Sequence, residues 1–143
     1  MNEAKTNPIP QGKYVPATRF GGLIFTAGMT PRKNGTLILT GRVEKYAPLE
    51  NYKDAVRQAA DNALTAARNQ LAEGERIRRV LSMSVYVNAE DGFTAHAKIA
   101  DFASDYLFEE LGDASPMARV SIGVATLPGN APVEIQLICG VGK

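Results

Sequence analysis

The chain has 143 residues, of which 45% are hydrophobic and 22% are charged, as in an ordinary globular domain with a real core. Sixteen Lys and Arg residues against fifteen Asp and Glu residues give a formal net charge of +1, which argues against a surface built for nucleic acid or acidic membranes. The single cysteine excludes an intrachain disulfide and a zinc site of four thiolates. We therefore predict one domain over residues 1–143.

The N-terminal segment is polar and contains two prolines, so residues 1–11 are predicted to form an extended arm. The segment lacks the apolar stretch of a signal peptide, and no apolar run of the chain approaches the roughly 20 residues that span a bilayer. These observations predict a cytoplasmic protein that has no membrane partner.

Three short strands are predicted in the first third of the chain. Residues 15–20 contain a proline, which favours an edge position, and residues 23–27 form a short apolar run. Asn34-Gly35 is a hairpin-type turn that leads into the third strand at residues 36–39.

Two helices are predicted from periodicity. Residues 52–71 carry apolar residues at three- and four-residue spacings, and most of them are alanine, so this helix can lie close to a sheet. Asn51 is its predicted N-cap, and Gly74 is predicted to stop it. Residues 93–111 form the second predicted helix, which ends near Gly112.

Three further strands complete the predicted fold, at residues 77–87, 118–126 and 133–141. The order β-β-β-α-β-α-β-β is typical of the α+β class. Two helices cannot cover both faces of such a sheet, so we expect the uncovered face to be buried in a symmetric oligomer.

The last two strands each begin with a charge among apolar neighbours, Arg119 on one and Glu134 on the other. A guanidinium matches a carboxylate bidentately, and a partly buried carboxylate can act as a general base. An ion pair, within the chain or between subunits, is the alternative for both residues. In a simple hairpin the two charges would lie roughly 20 Å apart, so contact requires a different strand order or a neighbouring subunit.

Other reactive side chains are given structural interpretations. The only histidine, His96, is predicted to lie on the surface or in helix packing rather than to bind a metal. Cys139 falls on the apolar face of the last strand and is predicted to be a core residue. A basic cluster is interpreted as a solvated loop, with an RNA contact as the alternative, and consists of Arg76, Arg78 and Arg79.

Several segments of the chain resemble the RidA/YjgF family of imine and enamine deaminases. The resemblance covers nearly the whole chain from about Gly12. The segments that carry it are Gly12-Lys-Tyr14-Val15, Leu23-Ile-Phe-Thr-Ala-Gly28-Met-Thr-Pro31, Ala118-Arg119, Gly123-Val-Ala, Leu127-Pro128 and Pro132-Val-Glu134-Ile.

The resemblance implies a chorismate-mutase-like α+β fold, a mixed six-stranded sheet with two helices packed on one face, assembled as a homotrimer. The last strand would lie inside the sheet, and the sites would lie in clefts between subunits. Arg119 would bind the substrate carboxylate, and Glu134 would position the attacking water. The residues that the resemblance implies for substrate binding are Tyr14, Ala27, Gly28 and Ser121.

The implied reaction is hydrolysis of a small carboxylate-bearing imine or enamine to a keto acid and ammonia, without a cofactor or a metal. The chain departs from the family's usual Ser-Gly-Gln at Ala27-Gly28-Met29 and from its usual Cys at Ser121. It therefore resembles a divergent branch. Two alternatives follow: non-catalytic binding of small keto acids or related metabolites, and RNA binding or cleavage, which the near-neutral charge makes less favoured.

Overall fold

The computed structural model describes residues 5–143. Three 3-10 turns, at Leu49–Tyr52, Gly112–Ala114 and Pro128–Asn130, lie between the regular elements. In chain order these elements are β1 (Ala17–Phe20), β2 (Leu23–Thr26), β3 (Arg32–Lys33), β4 (Thr36–Leu37), α1 (Lys53–Arg68), β5 (Arg76–Asn88), α2 (His96–Leu111), β6 (Ala118–Val124) and β7 (Val133–Gly142).

The main sheet is mixed and has the strand order β1-β2-β7-β5-β6. Only β5 and β6 run parallel; the other neighbours are antiparallel. The expectation that the last strand lies inside the sheet is confirmed, because β7 sits between β2 and β5 and does not pair with β6. Both helices pack on one face, which confirms the α+β class.

The main sheet has five strands, so the prediction of six strands in one sheet is wrong. The predicted third strand, residues 36–39, forms only the short β4, which pairs with β3 in a separate two-stranded ribbon. The turn itself was predicted correctly, since Asn34 and Gly35 both have a positive φ, of 54° and 82°. The turn simply joins two local strands to each other and not to the sheet.

The alanine-rich stripe of α1 packs against the sheet as predicted. Ala59, Ala60 and Ala63 are fully buried, and their small size lets the helix lie close to the strands. The predicted caps are wrong: the helix begins after Tyr52 without a side-chain cap, and it ends well before Gly74. The cause is the 3-10 turn at residues 49–52, which moves the helix start past Asn51.

Alternation along β7 separates a core face from an exposed face. Ile135, Leu137 and Cys139 are fully buried under the helices, whereas Glu134 and Gln136 lie on the other face and are only partly buried. The prediction that Cys139 belongs to the core is confirmed. Burial raises the pKa of the Cys139 thiol to about 12, so the thiol stays protonated and unreactive at neutral pH.

The sheet face opposite the helices, here called the open face, is apolar and uncovered. Phe20 is 89% exposed, and the other large apolar residues on or beside this face are 41–46% exposed. A patch of this kind on one surface marks an interaction site. The exposed residues are Phe20, Leu23, Phe25, Leu81, Val120 and Ile122.

Of the predicted N-terminal arm, residues 5–11 are described; residues 1–4 lie outside the described part of the chain. The arm runs along α1. Lys5 Nζ lies 2.8 Å from Asp61 Oδ1, and Asn69 Nδ2 donates to the carbonyl of Lys5 at 2.8 Å and to Asn7 Oδ1 at 2.9 Å. These contacts attach the described part of the arm to the body of the protein.

Candidate active site

Arg119 lies on the edge strand β6, on the face covered by the helices. Its Cα partner on β5 is Met83, whose side chain is fully buried under the helices, and paired residues share a face. The guanidinium reaches across to α2. There it donates to Asp101 Oδ1 at 2.8 Å, to Ser104 Oγ at 2.9 Å and to the carbonyl of Ala97 at 3.2 Å.

The intrachain ion pair that the sequence left open for Arg119 is therefore present. The Arg119 side chain is 21% exposed and that of Asp101 is 60% exposed, so the pair sits at the rim of the fold, open to solvent. Sequence reasoning missed Asp101 and Ser104. Their three-residue spacing on α2 puts them on one helix face, but only the strand order shows that Arg119 faces them.

Ser121 and Gly123 follow Arg119 on the same face of β6, because side chains alternate along a strand. Gly123 lies against His96: a Cβ at position 123 would be 2.7 Å from Nε2 of His96. The His96 ring also packs edge-on against Phe93, with ring centroids 5.1 Å apart. These contacts agree with the packing role predicted for His96, and they place the imidazole at the same rim as Arg119.

Glu134 lies on the open face, as does Tyr86, its Cα partner on β5. Its carboxylate lies directly against Gly28, where a Cβ would come within 2.6 Å of Oε2. Burial raises the pKa of Glu134 above the ordinary carboxyl value. Once ionised, such a carboxylate is a stronger base than an exposed one, which suits proton abstraction from water.

The backbone around Gly28 is fixed on both sides. The amide of Ala27 donates to the carbonyl of Pro16 at 2.8 Å. The amide of Met29 donates to the carbonyl of Ile135 at 2.7 Å, and the reverse bond measures 2.9 Å. Met29, at the position where the resemblance implies a glutamine, is buried in the core. Gly28 is thereby held beside Glu134 in a rigid segment.

Tyr14 lies near Gly28 at the end of the N-terminal arm. Its side chain is exposed, and its hydroxyl accepts a hydrogen bond from the amide of Gln11 at 3.0 Å. Tyr14 and Gly28 both line one cavity of about 470 Å³. The structure therefore brings Tyr14, Ala27, Gly28 and Glu134 to one region.

The two groups of predicted site residues lie on opposite faces of the sheet. Arg119 and Ser121 are on the helix face, whereas Glu134 and Gly28 meet on the open face. With β5 between their strands and a three-residue offset in register, the Cα atoms of Arg119 and Glu134 are about 14 Å apart. A single copy of the chain therefore does not direct both side chains at one small molecule.

Within residues 5–143, no group of three His, Cys, Asp or Glu side chains is arranged to hold a metal ion. No helix in that range is long and apolar enough to cross a membrane.

The fold and the two charged positions define a class: small α+β proteins with a mixed sheet, one helix-covered face and one open face. The chain belongs to the family described as endoribonuclease L-PSP, the RidA/YjgF family, whose profile matches residues 4–141. A RutC family protein of Pyrococcus horikoshii is 29% identical over 131 residues, which cover 92% of this chain and 89% of that protein.

Solved structures of other proteins are similar to this chain. A protein of unknown function from Agrobacterium tumefaciens is 30% identical, with a TM-score of 0.83 over 96% of this chain and 87% of its own. The YjgF gene product from E. coli is 23% identical, with a TM-score of 0.63 over 98% of both chains. This likeness supports the chorismate-mutase-like fold.

Proposed function

We propose that this protein hydrolyses a small imine or enamine that carries a carboxylate, releasing a keto acid and ammonia. The observation that carries the proposal is the pair Arg119 and Glu134, in the matched motifs of the family. One supplies a guanidinium held at an open rim, and the other supplies a carboxylate whose pKa is raised by burial.

Each group has a defined task in this reaction. The guanidinium of Arg119 binds the substrate carboxylate through two parallel hydrogen bonds and so fixes the imine carbon. The carboxylate of Glu134 accepts a proton from water while the water oxygen bonds to that carbon. The nitrogen takes up the proton that Glu134 removed from the water, which gives a carbinolamine. The hydroxyl of the carbinolamine then loses its proton to the nitrogen as the carbon–nitrogen bond breaks, so that ammonia leaves and the keto acid remains.

The site in this proposal is shared between copies of the chain. The opposite-face arrangement of Arg119 and Glu134 requires a second copy to bring the two together. The exposed apolar residues of the open face, led by Phe20, support such an assembly. We propose the homotrimer implied by the family resemblance, with the helix-face rim of one subunit against the open face of the next.

Replacing Arg119 with alanine is expected to lower kcat/KM for ammonia release from freshly generated imino acids by about 10²–10⁴-fold. The substitution removes two charge-assisted hydrogen bonds worth about 1.5–3 kcal/mol each, and a loss of about 1.4 kcal/mol in the transition state lowers the rate tenfold. Arg119→Lys keeps the charge without the planar fork and should be intermediate. Release of ammonia is followed with a coupled assay, and thermal melting reports on folding.

The matched control is Arg76→Ala, which removes an exposed arginine that belongs to neither set of predicted site residues. Its rate should equal that of the wild type. Equal rates for the wild type and Arg119→Ala would refute the proposed reaction. Binding of keto acids that depends on Arg119, without turnover of any imine, would instead identify a binding protein.

Replacing Gly28 with alanine is expected to reduce turnover without unfolding the protein. The added Cβ would lie 2.6 Å from Glu134 Oε2, and this end of a flexible side chain can move aside. The carboxylate would then lose its position relative to the bound water. We expect a lower kcat with a nearly unchanged KM and melting temperature, and an unchanged kcat would contradict this role for Gly28.

RNA cleavage is not favoured by the geometry, although the family is described by that activity. The formal net charge is +1, and the arginines near the start of β5 line a groove together with Glu75, Glu110 and Asp113. A groove of mixed charge lacks the continuous positive potential that binds a phosphate backbone.

A further inference from the structure

The guanidinium of Arg119 is held in one orientation by three acceptors on α2. Nη1 donates to Asp101 Oδ1 and to Ser104 Oγ, at 2.8 and 2.9 Å, and Nη2 donates to the carbonyl of Ala97 at 3.2 Å. These three residues are four and three positions apart and therefore share one face of the helix. Because the orientation exists before a ligand binds, little entropy is lost in fixing this side chain on binding.

Two of the five N–H donors of Arg119 remain for a ligand. The bonds to α2 use both hydrogens of Nη1 and one of Nη2, which leaves the hydrogen on Nε and the second hydrogen on Nη2. Nε has no acceptor in residues 5–143, and it is not buried. Nε and Nη2 border one edge of the planar group, so a carboxylate can bind at this free edge.

Asp101 also keeps one carboxylate oxygen for a ligand. Its Oδ1 accepts the hydrogen bond from Arg119, whereas its Oδ2 accepts none from residues 5–143. The Asp101 side chain is 60% exposed, so a ligand can reach it from solvent. Hydrogen bonds between an ionised donor and a carboxylate are the strong ones, so a cationic nitrogen is the partner that suits Oδ2 best.

The ion pair of Arg119 and Asp101 has no net charge, which affects what it attracts. A ligand whose only charge is a carboxylate is attracted by Arg119 and repelled by Asp101. A ligand that also carries a positive charge gains from both residues. The rim of the fold at this ion pair therefore favours dipolar molecules over simple anions.

The positions of the two binding points set the distance between the charges of such a ligand. Asp101 is bound at Nη1, whereas the free edge of Arg119 lies between Nε and Nη2. A carboxylate at the free edge and the carboxylate of Asp101 are roughly 6–8 Å apart, since each lies about 4 Å from the central carbon of the guanidinium. A positive charge that follows the carboxylate after a chain of about three or four carbon atoms can span this distance.

We propose that Arg119 and Asp101 together recognise a dipolar substrate, whose carboxylate binds the free edge of Arg119 and whose cationic side chain binds Asp101. The inference rests on the proposed function and narrows its substrate class to imino acids with a basic side chain. Asp101 is the residue that sets this specificity, and Ser104 helps to hold Arg119 in place.

The test is calorimetric binding of keto acids, the products of the proposed reaction, to the purified protein. The probes are 5-guanidino-2-oxopentanoate, 2-oxohexanoate and 2-oxoglutarate, whose side chains are cationic, neutral and anionic. The wild type should bind the cationic probe about three- to tenfold more tightly than the neutral one, as expected for one added ion pair open to solvent, and the anionic probe most weakly. Asp101→Asn should weaken binding of the cationic probe and strengthen binding of the other two. A merely structural role of Asp101 would weaken all three.

Two further variants complete the experiment. Asp54→Asn makes the same change at an exposed acid in the first turn of α1 and should keep the wild-type order of affinities, as should Asp101→Glu, which retains the charge. Equal affinity of the wild type for the cationic and neutral probes would overturn the inference, and so would a preference that survives in Asp101→Asn.

Ammonia release separates this inference from the proposed reaction. A preference for the cationic probe that depends on Asp101, in a protein that turns over no imine, refutes only the reaction. Turnover that depends on Arg119, in a protein without this preference, refutes only the recognition of a basic side chain.

Discussion

Glu134→Gln is expected to reduce kcat for imine hydrolysis by about 10²–10⁴-fold, the usual contribution of a general base. Glutamine keeps the shape of the side chain but cannot accept the proton of the attacking water. The carboxylate makes no ion pair among the described residues, so the substitution leaves no buried cation unpaired and the fold should persist. Steady-state kinetics with freshly generated imines provide the measurement.

The dependence of kcat on pH provides a second test of the role of Glu134. Burial raises the pKa of Glu134, so the base is protonated and inactive up to a higher pH than an ordinary carboxyl group. For the wild type, kcat should therefore rise with pH through the raised pKa and then level off. Glu134→Gln should lack this rise. A profile that is the same in both proteins would show that another group is the base.

An exposed acid provides the control. Glu50→Gln removes a carboxylate from the surface turn before α1 and should leave both the rate and the pH profile unchanged. If Glu134→Gln retains the wild-type kcat while Arg119→Ala is inactive, the reaction stands and the role given to Glu134 does not.

Mixed trimers of two inactive variants are expected to regain activity. Arg119→Ala subunits keep Glu134, and Glu134→Gln subunits keep Arg119, so a site formed between unlike subunits can contain both residues. In a closed ring of three, each mixed trimer has about one third of its sites intact. Co-expression with two different affinity tags and tandem purification isolates these trimers, whose ammonia release should be about one third of the wild-type rate.

The mixed-trimer experiment has one inactive control and one fully active control. Doubly tagged trimers of Arg119→Ala alone should stay inactive, and doubly tagged wild-type trimers should be fully active. Inactive mixed trimers beside active wild-type trimers would place both residues of each site in the same subunit. That result would contradict the opposite-face arrangement from which the shared site is inferred.

Periodicity predicted most elements of the fold because each depends on its own residues. The alanine stripe of α1 and the alternation of apolar and polar residues along β7 each indicate which face of the element is buried. The ribbon was mistaken for part of the sheet because residues 36–39 do not encode which strand they pair with. Pairing depends on what lies nearby in space, and here the nearest partner is β3.

The sequence identified individual site residues, but it did not predict how they are arranged relative to one another. Arg119 and Glu134 stand out as charges among apolar neighbours, but the faces they occupy follow from the pairing of β5 with both β6 and β7. Asp101 could not be recognised as a partner of Arg119 from the sequence, because their contact depends on the position of α2 beside the edge strand β6. The cavity was missed altogether, since its walls come from the arm, the ribbon and α1, which are far apart in the sequence.

The central position of β7 has a consequence for how the chain folds. β2 is joined to the rest of the sheet through β7, which follows every other strand in the sequence. Until β7 pairs, the β1–β2 hairpin and the β5–β6 pair have no hydrogen bonds to each other. The sheet therefore forms late and through contacts between distant segments, which makes folding slower than for a helical domain of similar size.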